Sequence, residues 1–184
     1  MEEIRIYCEN TGMHEEVHMG STLKTLSERI CPSIDAHCGS GMPVLAALVD
    51  RKLVSLDYKV INPHNVRFIG YDHPDGRRTY IRSLCFVLQN GVREMYPDKV
   101  LAIDYSLPSG LYCEIREQVP MEDGRPRVYF VTDAELEVIE TRMHEIVAAD
   151  MPFTKSMRSL EECEELFSAN HQTEKVNLLK SLGR

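Results

Sequence analysis

The stretch MHEEVHMG, residues 13–20, sets His14 and His18 four positions apart and admits two incompatible structures. On a helix, His-Glu-x-x-His brings both imidazoles to one face, about 6 Å apart, and spells a zinc site. On a strand the same side chains share a face but stand about 13 Å apart, which metal–nitrogen bonds of ~2 Å cannot span. The neighbouring residues decide for a strand. Ile4-Arg5-Ile6-Tyr7-Cys8 alternates at period two, Asn10-Thr11-Gly12 is a turn, and Val17 and Met19 lie opposite His14, Glu16 and His18. The segment therefore reads as the return arm of a hairpin with two solvated histidines.

Working outward, Ser21 or Thr22 caps a helix over residues 23–30, stopped by Pro32. Asp35 to Pro43 is looser and carries Gly39 and Gly41. Val44 to Val49 reads as an apolar strand, Asp50-Arg51 as a turn, Leu53-Val54 as a short strand and Val66 to Ile69 as the closing one. Two strands, a helix and further short strands describe a β-grasp over residues 1–71.

A second domain is expected over residues 72–184. Asp72-His73-Pro74-Asp75-Gly76 breaks the chain. Ile81, Leu84, Leu88, Val92 and Met95 then recur at helical spacing up to Pro97. Strands follow at 100–105 and 111–117, a hairpin tip at Glu122-Asp123-Gly124, and a return at 128–131. Thr132-Asp133-Ala134-Glu135 is a capping box, opening a helix whose inner face carries Leu136, Ile139, Met143, Ile146 and Val147. Residues 153–157 read as a strand. Ser159-Leu160-Glu161-Glu162 opens another helix, to about Asn170, and 175–182 is helical. The fold class is α+β.

The 184 residues are 43% apolar and carry 21 Lys+Arg against 29 Asp+Glu. An acidic chain with neither half basic excludes a broad nucleic-acid footprint but not a local basic face. Cys8, Cys31, Cys38, Cys85, Cys113 and Cys163 include no C-x-x-C pair, the start Met1-Glu2-Glu3 is no signal peptide, and no apolar run approaches a membrane span. Reduced thiols in a cytoplasmic protein are expected.

No complete active site is spelled. Gly39-Ser40-Gly41 lacks the Gly-Lys-Ser/Thr ending of a phosphate loop, and Ser109-Gly110 is a turn. His64, His73, His144 and His171 lack partners at ligand spacing. Glu161-Glu162 and Glu164-Glu165 read as a solvated helix face, Arg77-Arg78 as an exposed pair at a helix start, and Met143, Met151 and Met157 as core.

Several segments resemble bacterial threonyl-tRNA synthetase: Val92-Arg93-Glu94-Met95-Tyr96-Pro97, Ala102-Ile103, Ser109-Gly110-Leu111-Tyr112-Cys113-Glu114, Leu136 through Arg142-Met143-His144-Glu145, and Glu164-Glu165-Leu166-Phe167 through Lys175-Val176-Asn177-Leu178-Leu179. The resemblance implies a TGS-like β-grasp domain at 1–71. It implies a domain like the synthetase's second additional domain, which edits mischarged tRNA, at 72–184, incomplete at its C-terminus. That editing domain uses a helical His-x-x-x-His pair and a later Cys-x-x-x-His pair. Counted back from Tyr96-Pro97, the helical pair falls on Arg82 and Phe86. A guanidinium is no base at neutral pH and a phenyl ring has no lone pair.

A histidine-less domain of this kind resembles the N-terminal part of bacterial uridine kinase-like proteins. The implied function is a non-catalytic accessory or regulatory module of such a nucleoside kinase. No cofactor is then expected in this chain; ATP and magnesium belong to a kinase domain further along, which is also the expected partner, with RNA or a nucleotide as ligand and no membrane. No catalytic residue and no metal ligand are assigned. Candidates for a relic groove are Arg82 as anion contact, Phe86, Cys85, and Tyr105 and Tyr112, with Tyr80, as stacking surfaces. The alternative function is a divergent aminoacyl-tRNA deacylase whose water is held by Cys85, Asp104 or Cys113. A third is docking of a partner protein at an edge of the first sheet.

Overall fold

The computed structural model describes residues 2–32, 43–108, 110–117, 127–170 and 172–182. Among them lie two sheets and five helices, an α+β structure, and the chain divides into two compact units, Met1–Leu84 and Cys85–Arg184.

The first unit begins with the hairpin of β1 (Glu3–Cys8) and β2 (Met13–His18), in the register Ile4↔Val17 and Cys8↔Met13. Gly12 takes φ 69°, a left-handed conformation that costs glycine little. Asn10 mimics a backbone unit: its side chain donates to the Phe68 carbonyl at 2.9 Å and accepts from the Phe68 N–H at 2.8 Å. Thr22 caps α1 (Leu23–Ile30) by accepting from the Thr25 N–H. β3 (Ala46–Val49) and β4 (Lys52–Val54) are joined by Asp50 and Arg51, both at positive φ, as tight hairpins require. β5 (Asn65–Ile69) runs parallel to β1 and antiparallel to β3, giving the order β2-β1-β5-β3-β4. One face of this sheet and α1 bury Ile6, Val17, Leu23, Leu26, Val66 and Phe68. Each large side chain so buried contributes about 1.5–3 kcal/mol.

α2 runs Pro74–Met95, almost two turns earlier than the apolar spacing predicts. Pro74 is compatible with a first helical turn, where no N–H partner is needed. The His73 ring Nδ1 accepts from the Asp75 N–H at 3.2 Å. Gly76 follows because a Cβ there would stand 1.9 Å from the Gly70 carbonyl oxygen. The division between the units falls inside this helix.

In the second unit, β6 (Lys99–Leu107), β7 (Gly110–Glu117) and β8 (Val128–Tyr129) form an antiparallel sheet with a bulge at Asp104. β8 stops early because the chain turns to Thr132, the cap of α3 (Asp133–Ala148), whose capping box is formed. Val92, Ile115 and Ile139 make the buried core, with Leu88, Leu101, Tyr129 and Met143 against them. Glu135 ties three elements together: Tyr96 and Tyr129 donate to its Oε1 at 2.9 and 2.6 Å, and the Thr132 N–H to its Oε2 at 2.8 Å. These bonds hold its carboxyl at about 2, and burial beside it pushes Tyr96 to about 12. α4 (Leu160–Ala169) opens on the second capping box, and α5 (Thr173–Leu182) packs against α4.

Four expectations are corrected. Residues 153–157 are not a strand, since no neighbouring strand pairs with them and 151–159 is exposed throughout. Met19 lies past the end of β2 and is 47% exposed. Leu136 and Val147 turn to solvent, because only the Ile139–Met143 side of α3 meets the sheet. Met151 and Met157 are likewise exposed rather than core. The loop glycines Gly39 and Gly41, Cys38, Ser109, the tip Glu122-Asp123-Gly124 and His171 lie outside the described residues. No described helix is long and apolar enough to cross a membrane.

Candidate functional site

His14 and His18 sit in β2, both exposed, opposite Tyr7 and Glu3. Their side chains find local partners: the His14 ring lies 5.1 Å from that of Tyr7, and His18 Nδ1 lies 3.7 Å from Glu3. Among the described residues no group of three or more His, Cys, Asp or Glu is arranged to hold a metal. His64 does have a strong partner. Its Nδ1 is 2.6 Å from Asp50 Oδ2, and Asp50 Oδ1 accepts the Asn65 N–H at 3.0 Å. Those two bonds hold the Asp50 carboxyl below its ordinary value. The pair ties the β3–β4 turn to β5, a structural role.

The groove candidates are distributed as follows. Arg82 is exposed on the part of α2 that groups with the first unit, and no ion pair to it is formed among the described residues. Tyr80, in the same unit, sets its ring perpendicular to Tyr71 at 5.3 Å. In the second unit, Tyr105 and Tyr112 are a cross-strand pair with stacked rings, 4.8 Å apart and 10° from parallel. The Tyr112 hydroxyl donates to Glu114 at 2.9 Å, which raises its pKa. Arg116 bonds Glu114 and Asp104, so this sheet face is already charge-paired. Cys113 is half-buried on the face of Ile115. Burial, then Cys85 and Asp104, raise its thiol pKa, the wrong direction for a nucleophile.

Phe86 instead opens onto a cleft of about 200 Å³ between α2, β6 and the α4–α5 turn. Phe86, Asn90 and Arg93 follow one another at helical spacing along one side of α2, and Lys175 enters from α5. The described lining holds three cations, Arg93, Lys99 and Lys175, four side-chain amides and no carboxylate. Lys99 is engaged by Asp98 at 3.1 Å and by the Tyr129 ring. Arg93 donates to the Asn90 side chain at 3.2 Å, and the Lys175 ammonium lies 5.3 Å from the centre of the Phe167 ring. Burial first, then the charge of Arg93, push the Lys175 pKa down. An anion placed between them would relieve that repulsion. Gln172 Oε1, also in this lining, is buried without a hydrogen-bond partner.

Arg93 and Lys175 are the cleft cations that sequence reasoning did not single out, although both lie in segments quoted for the family resemblance. The only local signal was the helical spacing of Phe86, Asn90 and Arg93.

No family model matches the chain. It is similar to curated proteins named threonine–tRNA ligase: 27% identical over 171 residues to that of Desulforamulus reducens, and 24% over 179 residues to that of Clostridium kluyveri. It is also 24% identical over 173 residues to threonine–tRNA ligase 2 of Bacillus subtilis. These matches cover 93%, 97% and 94% of this chain, but 24%, 25% and 25% of the relatives. The chain thus spans about a quarter of the length of the relatives it matches.

Proposed function

We propose that this chain is a threonyl-tRNA synthetase-like region whose second unit binds the nucleotide end of an RNA without hydrolysing an ester on it. The observation that carries this reading is the charge of the cleft, where Arg93 and Lys175 stand among amides and no carboxylate is present in the described lining. The relatives add a tRNA-handling context. Hydrolysis is disfavoured by the residues themselves. The positions that carry histidines in the editing domain are Arg82 and Phe86, and Cys113 keeps its proton at neutral pH. The strand order β2-β1-β5-β3-β4 with α1 on one face supports a TGS-like β-grasp as the first unit.

The test is a titration of the chain with threonine tRNA at two salt concentrations. Binding should weaken with salt, and Lys175→Ala and Arg93→Ala should each weaken it about tenfold. No binding at low salt removes the reading. Hydrolysis of a mischarged threonine tRNA above the buffer rate, lost in Cys85→Ala, replaces it with the deacylase. A nucleoside-kinase parent, supplying ATP and magnesium, is a second reading motivated by the replaced histidine pair alone. A Gly-x-x-x-x-Gly-Lys-Ser/Thr motif encoded beyond Arg184 supports it, and a synthetase core there rejects it.

A further inference from the structure

A second chamber, of about 380 Å³, opens between α2, the end of α3 and residues 150–153. Sites for small organic molecules are walled chiefly by apolar side chains, with a few polar groups that fix orientation. This chamber has that make-up. Val87, Ile146, Met151 and Pro152 supply apolar wall, and Asn90 and Asp150 are the only polar side chains in the described lining. Three of its features carry the same sign. Asp150 presents a carboxylate to which no ion pair or side-chain hydrogen bond is formed among the described residues. α3 ends at the chamber, with Ile146 and Val147 in the wall, and its last turn holds no basic side chain, so the negative end of the helix dipole has no local counter-charge. Phe86 and Phe153 meet edge to face, ring centres 5.9 Å apart at 89°. A face of each ring bounds the corner between them, and aromatic faces carry the negative side of the ring quadrupole.

These features select the ligand class. The described lining contains no Lys or Arg, so an anion finds no partner and meets a carboxylate. A neutral apolar molecule fills the wall but leaves the carboxylate and the helix end uncompensated. A bare divalent metal ion needs roughly six or more oxygen ligands, and the described wall offers one carboxylate and one amide. We propose that the chamber binds a small organic monocation, a protonated amine on an apolar body. Its ammonium group is held by Asp150, the end of α3 and the Phe86–Phe153 corner, and its body packs on Val87, Ile146 and Met151. One carboxylate matches one positive charge, and the net charge of −8 on the chain favours the approach of a cation. Neither Arg93 nor Lys175 takes part, so the inference stands apart from the RNA-end reading.

The test is calorimetric titration of the 184-residue chain with phenethylamine, protonated at neutral pH, and with phenethyl alcohol, which has the same apolar body and no charge. The amine should bind about tenfold more tightly than the alcohol. Asp150 sits at φ 47°, a conformation that asparagine tolerates, so Asp150→Asn keeps the backbone and the shape, removes the charge and should level the two ligands. Phe153→Ala should weaken the amine about tenfold with an unchanged thermal midpoint. Lys175→Ala should leave both affinities as they are; a loss there places the ligand in the cationic cleft and overturns the inference. Equal affinity for amine and alcohol, a preference that survives Asp150→Asn undiminished, or no saturation by the amine at millimolar concentration overturns it as well. Each of these last three results leaves the RNA-end reading of the cleft intact.

Discussion

The two units use their apolar residues differently. Among the described residues, the first buries eleven side chains in one cluster, and Ile6, Leu23, Val60 and Val66 are wholly shielded from solvent. The second has a cluster of three buried residues, with Val87 and Val176 buried besides, and leaves Phe86, Phe130, Phe153 and Met157 exposed by 64, 86, 62 and 93%. Polar side chains join elements in both units, Glu135 doing so in the second, but one pair of cations there stands apart. In the first unit, Asn10, Asp50 and His64 are engaged in joining strands. In the second, Arg93 and Lys175 face each other across a cleft without a counter-charge in its described lining. The larger buried core lies in one unit and the more exposed aromatic surface in the other.

Mutation can break this contrast. Phe68→Ala, at 1% exposure, should cost about 3–5 kcal/mol in a urea denaturation followed by circular dichroism. Phe153→Ala should stay within about 0.5 kcal/mol. Similar losses for the two would mean that the exposed ring carries packing energy comparable to that of a buried one.

Gly76→Ala should come next. The new methyl group would meet the Gly70 backbone at 1.9 Å, so α2 must shift, at a cost of about 1–3 kcal/mol. An unchanged denaturation midpoint would show that the start of α2 is not held against Gly70.

Glu135 sharpens the comparison through pH. Its folded-state pKa of about 2 lies below the ordinary 4.5, so its contribution is present above about pH 4.5 and is lost as pH falls towards 2. The thermal midpoint of the second unit should therefore fall over that window, and Glu135→Gln should flatten the fall. A wild-type profile as flat as the variant's would remove the Tyr96–Glu135–Tyr129 clasp as a source of stability.

The smallest effect should come from Arg142→Ala, which breaks exposed pairs with Glu94 and Glu145, both at 2.6 Å. Exposed ion pairs contribute little, and the midpoint should move less than in Phe68→Ala or Gly76→Ala. A larger shift would give the second unit an electrostatic framework in place of its sparse core.

Local rules made much of the framework legible. The period-two alternation around Gly12 marked β1 and β2, and Ser21 or Thr22, Thr132 and Ser159 marked three helix starts, where Thr22, Thr132 and Ser159 form the side-chain caps. The start of α2 was illegible because Asp72-His73-Pro74-Asp75-Gly76 has the composition of a breaker. Only the approach of Gly76 to Gly70 gives that glycine its place inside a helix. Residues 153–157 failed as a strand for a related reason: a strand exists only if another strand accepts its hydrogen bonds.

The sequence by itself determined the first hairpin and the capped helix starts, because capping, turn and periodicity signals act over a few neighbouring residues. It also determined what cannot happen at positions 82 and 86, because arginine and phenylalanine lack the chemistry of histidine at any geometry. Only the tertiary structure decided which cations share a cleft. Arg93 and Lys175 are far apart in the chain, and neither is distinctive until the α4–α5 turn brings them to one cleft. Electrostatic effects depend on distance in space and on burial, and spacing along the chain reports neither.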